Sequence, residues 1–166
     1  MKIRTGFGFD VHAFVEGRAL WLGGVKIEHP RGLAGHSDAD VLIHAICDAL
    51  LGAANLGDIG LHFPDTSAKY KDIDSKILLG KTMEMLRMSG YELGNVDATV
   101  VAEQPKLQPY IPAMVQTLSE VMQADPDDLS IKATTSEKLG FTGRGEGIAA
   151  YASVLLTDRI TTYRET

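Results

Sequence analysis

The 166-residue chain has a single cysteine, Cys47, and a single tryptophan, Trp21. A lone cysteine excludes a disulfide framework and fits a reducing compartment. Cys47 itself reads as a small buried hydrophobe on the apolar side of a helix. Positive charge is also scarce: 16 Lys and Arg face 22 Asp and Glu, for a formal net charge of −6. That balance leaves no basic face for nucleic acid, so no nucleic-acid partner is expected. Apolar runs are short, and none reaches the roughly 18 residues of a membrane span. Met1 to Gly6 leads straight into an extended segment, so no leader peptide is expected. A cytoplasmic protein without a membrane partner is expected. The sequence carries neither internal repeats nor low-complexity tracts. Its 45% hydrophobic and 23% charged content suits one globular domain with a real core. Residues 1–158 read as that domain and residues 159–166 as a polar C-terminal tail.

Ile3 to Val11 reads as a strand with a bend near Gly8, and Ala19 to Ile27 as a second strand or hairpin arm broken by Gly23-Gly24. Residues 28–38 read as a mobile loop. Ser37 or Asp38 is placed to cap a helix ending around Ala53-Ala54. The connection over residues 55–72 is long, and such loops inside compact domains usually carry function. A second helix begins at Asp74 or Ser75 and stops at Gly90. Asn95 to Ala102 alternates as a strand, and Pro109 to Met122 has helical periodicity. Leu129 to Thr134 and Ile148 to Leu156 complete the strands. Trp21 and the methionines at 83, 85, 88, 114 and 122 read as core. This order predicts an α/β (α+β) sandwich: a single mixed sheet with helices packed on one face.

Three constellations carry chemistry. Asp10 and His12, two apart on a strand, point to one face, and His44 on the first helix is able to lie over the same point. One carboxylate and two imidazoles form a three-ligand set that suits zinc and leaves a fourth position open. Asp40, His44 and Asp48 share a helix face, so either carboxylate could support His44 through its second ring nitrogen, or both could be capping or solvated residues. The second constellation runs from Ala133 to Gly147, leaving a strand with hydroxyls, Glu137, Lys138, Arg144 and four glycines. It reads as a phosphate cradle or as a plain turn; the spacing of a Walker loop is absent. The third is His36-Ser37, a donor pair in a loop or simply a solvated one. His29 and His62 read as surface residues.

These segments resemble the 2-C-methyl-D-erythritol 2,4-cyclodiphosphate synthase family. The resemblance covers residues 3 to about 157 and rests on ordered blocks: Gly8-Phe9-Asp10-Val11-His12, Ala34 to Asp40, His44-Ala45, Asp48 to Ala53, Gly57 to Gly60, Phe63-Pro64-Asp65, and Lys132 to Gly147. It implies a homotrimer with active sites at subunit interfaces, zinc on Asp10, His12 and His44, and a second divalent ion (magnesium or manganese) on Glu137. By the same resemblance, His36 and Thr135 stabilise the transition state, and His36-Ser37, with Asp10 and His12, contacts substrate phosphate. Asp58, Ile59, Gly60, Phe63, Pro64, Asp65, Thr66 and Ser67 hold the methylerythritol part. Ala102, Glu103, Gln104, Pro105, Lys106, Leu107 and Gln108 hold the cytidine diphosphate part together with Thr134, Thr135, Ser136 and Glu137, with Phe141 and Arg144 nearby.

The reaction implied is conversion of 4-diphosphocytidyl-2-C-methyl-D-erythritol 2-phosphate to the 2,4-cyclodiphosphate and CMP. The 2-phosphate displaces CMP from the β-phosphorus with metal assistance. Tyr151 stands where family members often carry glutamate beside the arginine near the trimer axis. An anion or isoprenoid diphosphate on the axis, or else Glu146, is expected to compensate Arg144. Two other readings compete: a zinc phosphoesterase hydrolysing a nucleotide diphosphate, and a non-enzymatic zinc trimer binding an isoprenoid.

Overall fold

The computed structural model describes residues 2–158. The tail expected over residues 159–166 lies outside the described residues. A five-stranded mixed sheet has the order β4-β1-β7-β5-β6, from β1 (Ile3–Glu16), β4 (Arg31–Leu33), β5 (Tyr91–Val101), β6 (Leu129–Thr134) and β7 (Gly147–Asp158). Only β5 and β6 pair in parallel, joined through α4 (Ile111–Met122); every other pairing in this sheet is antiparallel. A separate two-stranded ribbon is formed by β2 (Leu20–Leu22) and β3 (Val25–Ile27). Two further long helices, α1 (Val41–Ala54) and α3 (Ser75–Met88), complete the helical layer. Two single-turn helices, α2 (Ile59–His62) and α5 (Gly140–Gly143), lie in the connections.

The expected bend at Gly8 does not occur. β1 pairs with β7 without interruption from Ile3↔Thr157 to Ala13↔Gly147. Gly6 and Gly8 serve a different need: a Cβ on either would stand 1.9 Å from a carbonyl oxygen of α1, Ala49 O and Ala45 O respectively. The missing side chains let α1 lie directly on the strand. This close approach brings a helical side chain within reach of strand side chains.

Asp40, rather than Ser37 or Asp38, caps α1. Its carboxylate accepts the Ile43 N–H at 3.1 Å and also the Gly23 and Gly24 N–H groups at 2.9 and 2.7 Å. Burial raises the pKa of this fully enclosed carboxyl, and the backbone donors oppose that shift. One side chain thus caps the helix and fastens the β2–β3 turn to it.

Leu42, Ile43, Ile46 and Leu50 of α1, Leu79 and Leu86 of α3, and Met114 and Leu118 of α4 are enclosed against Val96, Ala98, Val100, Ile148, Ala150, Ala152 and Val154 of the sheet. Cys47 is buried as expected, its thiol pushed up to about 12 by burial. Trp21 is only half-buried, with the Lys76 ammonium 5.3 Å from its ring centre. Met88 is exposed because the helix ends there, and Met85 is half-buried. The opposite sheet face is bare: Phe7 is 68% exposed, and Phe9, Val11 and Tyr151 beside it are also exposed.

The expected loop over residues 28–38 is more structured than its composition suggests. Its centre forms β4 on the sheet edge. The Arg18 guanidinium donates to Gly35 O and Ser37 O, Asp38 N donates to Ile73 O, and Asp72 N donates to His36 O.

Candidate active site

Alternation along β1 turns Asp10 and His12 to the same face as Gly6 and Gly8, toward α1. His44, one turn into that helix, meets them there. Asp10 Oδ2 lies 3.0 Å from His12 Nε2 and 3.0 Å from His44 Nδ1, and the two ring nitrogens are 3.1 Å apart. Three donor atoms form a near-equilateral triangle. A tetrahedral ion with ligands at about 2.0–2.1 Å separates them by about 3.3–3.4 Å, so the triangle approximates one face of that polyhedron. The donor set, one anionic oxygen and two imidazole nitrogens, also suits zinc. Burial opposes ionisation of Asp10, but hydrogen bonds and charge from His12 and His44 outweigh it and hold the carboxyl well below the usual range.

Neither Asp40 nor Asp48 supports His44, although both lie on its helix face. Asp40 is the cap. Asp48 accepts the Ile59 N–H at 2.8 Å, with burial raising its pKa, and thereby tethers α2. His44 Nε2 instead faces two hydroxyls, Ser75 Oγ at 3.0 Å and Ser37 Oγ at 3.2 Å. Neither position advertises this partnership in the sequence.

The triangle opens into a cleft of 530 Å³ lined by His36, Ser37, Ile59, Gly60 and Phe63 to Thr66, all of them expected site residues. Asp58 caps α2 through Leu61 N, so it shapes the cleft rather than lining it. Ser67 stands behind the wall, its carbonyl receiving the His36 Nε2–H at 3.0 Å. Tyr70, Ile73 and Leu78 also line the cleft and were not singled out from the sequence. Tyr70 packs edge-on to Phe63, a pairing that a polar connection gives no pattern to foresee. His29 and His62 are half-buried rather than surface residues, in contact with Arg31 O and Leu56 O.

A second cleft, of 350 Å³, lies where β5 and β6 end. Ala102, Pro105, Lys106, Leu107, Gln108, Thr134 and Thr135 line it. Glu103 points elsewhere: its Oε1 accepts from Ser136 N, Ser136 Oγ and Lys138 N, so it braces one loop of the cleft against the other. Gln104 is exposed beside it. Thr135 Oγ1 donates to Glu137 Oε1 at 2.7 Å. Thr142, on the same α5 turn as Phe141, donates to Ser136 Oγ at 2.8 Å. Arg144 is paired with Glu146 through two contacts, 2.7 and 3.1 Å, so the compensating carboxylate is its own near neighbour.

The two clefts share no lining residue. Asp10, Ala150, Val100 and Ala133 stand level across the sheet, so both groups occupy the same end of it. Three strand steps separate β1 from β6, about 14 Å. The fold therefore assembles the expected residues into two sets and does not unite Glu137 with the triangle within one chain.

Fold and site define a mixed α/β protein with a carboxylate–imidazole cluster, able to hold a metal ion, at the mouth of a cleft that combines apolar walls with a few polar groups. Residues 3–157 match the YgbB family. The chain is 73% identical over 156 residues to 2-C-methyl-D-erythritol 2,4-cyclodiphosphate synthase of Parabacteroides distasonis, covering 94% of this chain and 97% of that protein. It is 69% identical to the enzyme of that name from Bacteroides fragilis, over 94% of this chain and 98% of the relative. Among solved structures, the bifunctional IspDF of Campylobacter jejuni superposes with a TM-score of 0.92 at 48% identity, over 95% of this chain and 42% of that longer chain. The CDP complex of Plasmodium falciparum IspF does so with a TM-score of 0.83 at 35% identity, over 95% and 97%. The chain belongs to the YgbB family.

Proposed function

We propose that this protein converts 4-diphosphocytidyl-2-C-methyl-D-erythritol 2-phosphate to 2-C-methyl-D-erythritol 2,4-cyclodiphosphate and CMP, in line with relatives named as synthases of that cyclodiphosphate. The observation that carries the reading is the Asp10–His12–His44 triangle opening onto the His36-Ser37 cleft. A phosphate monoester has a second pKa of about 6, so the attacking 2-phosphate is already anionic at neutral pH. Its oxygen bonds to the β-phosphorus as the bond to the CMP oxygen breaks, and no protein nucleophile is required. The protein's task is to fold the substrate back on itself and to neutralise crowded negative charge.

Asp10, His12 and His44 would hold zinc, and Glu137 would hold a second divalent ion, magnesium or manganese. Bound there, the ions supply Lewis-acid neutralisation of phosphoryl oxygens. Ser37 offers a hydroxyl at the edge of the triangle. His36 already donates its Nε2–H to Ser67 O, so it gives a second hydrogen bond, to phosphate, only as a doubly protonated ring. Lys106 and the hydroxyls of Thr134 and Thr135 suit the cytidine diphosphate half, consistent with the CDP held by the Plasmodium relative.

Two half-sites in separate clefts and a bare apolar sheet face both favour a homotrimer, in which the first cleft of one copy faces the second cleft of its neighbour. Phe7, Phe9 and Tyr151 would then line the axis, where an isoprenoid diphosphate or another anion could bind. Residues 1–158 act as one domain followed by a short tail. No helix among the described residues is long and apolar enough to cross a membrane, and a cytoplasmic setting suits a small phosphorylated substrate.

Phosphorus NMR of the purified protein with substrate and magnesium tests the function. A cyclic diphosphate plus CMP is expected. A linear phosphate plus CMP would make the protein a phosphoesterase, and unchanged substrate would remove the enzymatic reading.

A further inference from the structure

His44 is the one member of the triangle that reaches it from a helix, and its second ring nitrogen is enclosed. Ser75 Oγ and Ser37 Oγ both lie within hydrogen-bond distance of Nε2. A neutral imidazole carries one proton, and which nitrogen bears it decides whether Nδ1 can serve as a ligand. Ser75 Oγ lies 2.5 Å from Asp38 Oδ1, and an ionised carboxylate only accepts, so the single Ser75 proton belongs to Asp38. Ser75 therefore turns lone pairs toward His44. Nδ1 faces Asp10 Oδ2 at 3.0 Å, so once Nδ1 is a metal ligand the ring proton sits on Nε2, and Ser75 Oγ is the acceptor placed to receive it.

Asp38 is itself held. It receives Ser75 N–H at 3.0 Å on Oδ2 and Asp40 N–H at 3.2 Å on Oδ1, and its own N–H donates to Ile73 O. Ser75 is fully buried at the first turn of α3. Ser37 Oγ is the farther hydroxyl and already accepts the Ala39 N–H at 3.1 Å, so its proton stays available to a ligand in the cleft.

We propose that Asp38 and Ser75 are positioning residues for the candidate metal centre. Through Asp38, the Ser75 hydroxyl is oriented to accept from His44 Nε2, which fixes the ring with Nδ1 bare toward Asp10 and His12. The same contact spares Ser37 from that duty and leaves its hydroxyl for substrate phosphate. Carboxylates and carbonyls commonly support metal-bound histidines directly. Here the support passes through a serine on a different helix, about 30 residues further along the chain than His44. This inference rests on the reading of the triangle as a zinc site.

The test uses zinc-loaded protein and two readouts that do not depend on turnover. Long-range nitrogen–proton NMR of the parent should show His44 protonated on Nε2. Chelator competition on Ser75→Ala should show zinc affinity weakened about 10–100-fold, with Ser37→Ala within about twofold of the parent. Melting of each metal-free variant separates a folding defect from a lost contact. If Ser75→Ala melts far below the parent, the NMR result alone decides. Parental zinc affinity in a folded Ser75→Ala overturns the relay while leaving the metal centre intact, and protonation of His44 on Nδ1 in the zinc-loaded protein removes His44 from the centre and overturns the relay with it. A parent that binds no zinc removes the metal centre and the relay with it.

Discussion

Asp10, His12 and His44 stand on regular structure, two on a strand paired along most of its length and one on a helix pressed against that strand. The second cleft is built from segments that leave strand ends, Ala102 to Gln108 after β5 and Thr134 to Glu137 at the end of β6. In the first region the side chains are placed by backbone periodicity and by a glycine-enabled close approach. In the second, placement depends on struts such as Glu103, and Lys106, Gln108, Thr134 and Glu137 are exposed. A three-donor cluster tolerates little displacement, so it belongs on rigid elements, whereas a nucleotide can be met by loops that settle around it.

Several substitutions would break or sharpen this contrast. His44→Ala should empty the triangle of zinc and lower turnover by about a thousandfold, close to 4 kcal/mol of transition-state stabilisation, with cooperative melting retained. Elemental analysis and the phosphorus assay check it, and full zinc content would dissolve the rigid-centre side of the comparison. Gly8→Ala places a methyl group against Ala45 O and should cost about 2–3 kcal/mol in chemical denaturation. A neutral outcome would show that the helix–strand approach is not what holds the triangle.

Glu103→Ala, in the second region, should weaken CDP binding about tenfold by calorimetry and leave zinc content alone. Equal CDP affinity would mean that the loop holds its shape without the strut. The smallest effect concerns amide exchange. CDP should slow exchange several-fold over residues 102–108 and 134–138 and leave residues 31–38 unchanged, because β4 and the Arg18 clamp already order them. Equal slowing in both regions would erase the distinction.

Much of the metal cluster was legible because it rests on two short-range rules, alternation on a strand and the apolar phase of a helix. Asp10 and His12 share a face wherever that strand goes. The stop of α1 before Asn55 and the start of α3 at Asp74 or Ser75 were readable from caps and periodicity, whereas the cap of α1 was expected at Ser37 or Asp38 and is Asp40. The support of His44 was misread, because Asp40 and Asp48 share its face yet spend their oxygens on backbone N–H groups that only the folded chain brings near. Gly8 was misread as a bend because glycine looks alike whether it relieves torsion or makes room. Trp21 and Met88 were read as core from residue type alone, and their positions at a ribbon and a helix end decided otherwise.

The sequence by itself determined which chemistry is available: a carboxylate and two imidazoles in strand and helix phase, hydroxyls and glycines after β6, and no surplus of positive charge to bind a polyanion without help. Those are local properties, set by covalent order and by the repeats of 2.0 and 3.6 residues. Tertiary structure alone decided that Ser75 and Asp38 stand behind His44, that Glu103 is a brace, and that the expected residues divide between two clefts that share no lining residue. The physical reason is that hydrogen-bond partners and strand neighbours are settled by packing between segments far apart in the chain, and no local pattern encodes which donor will reach which acceptor.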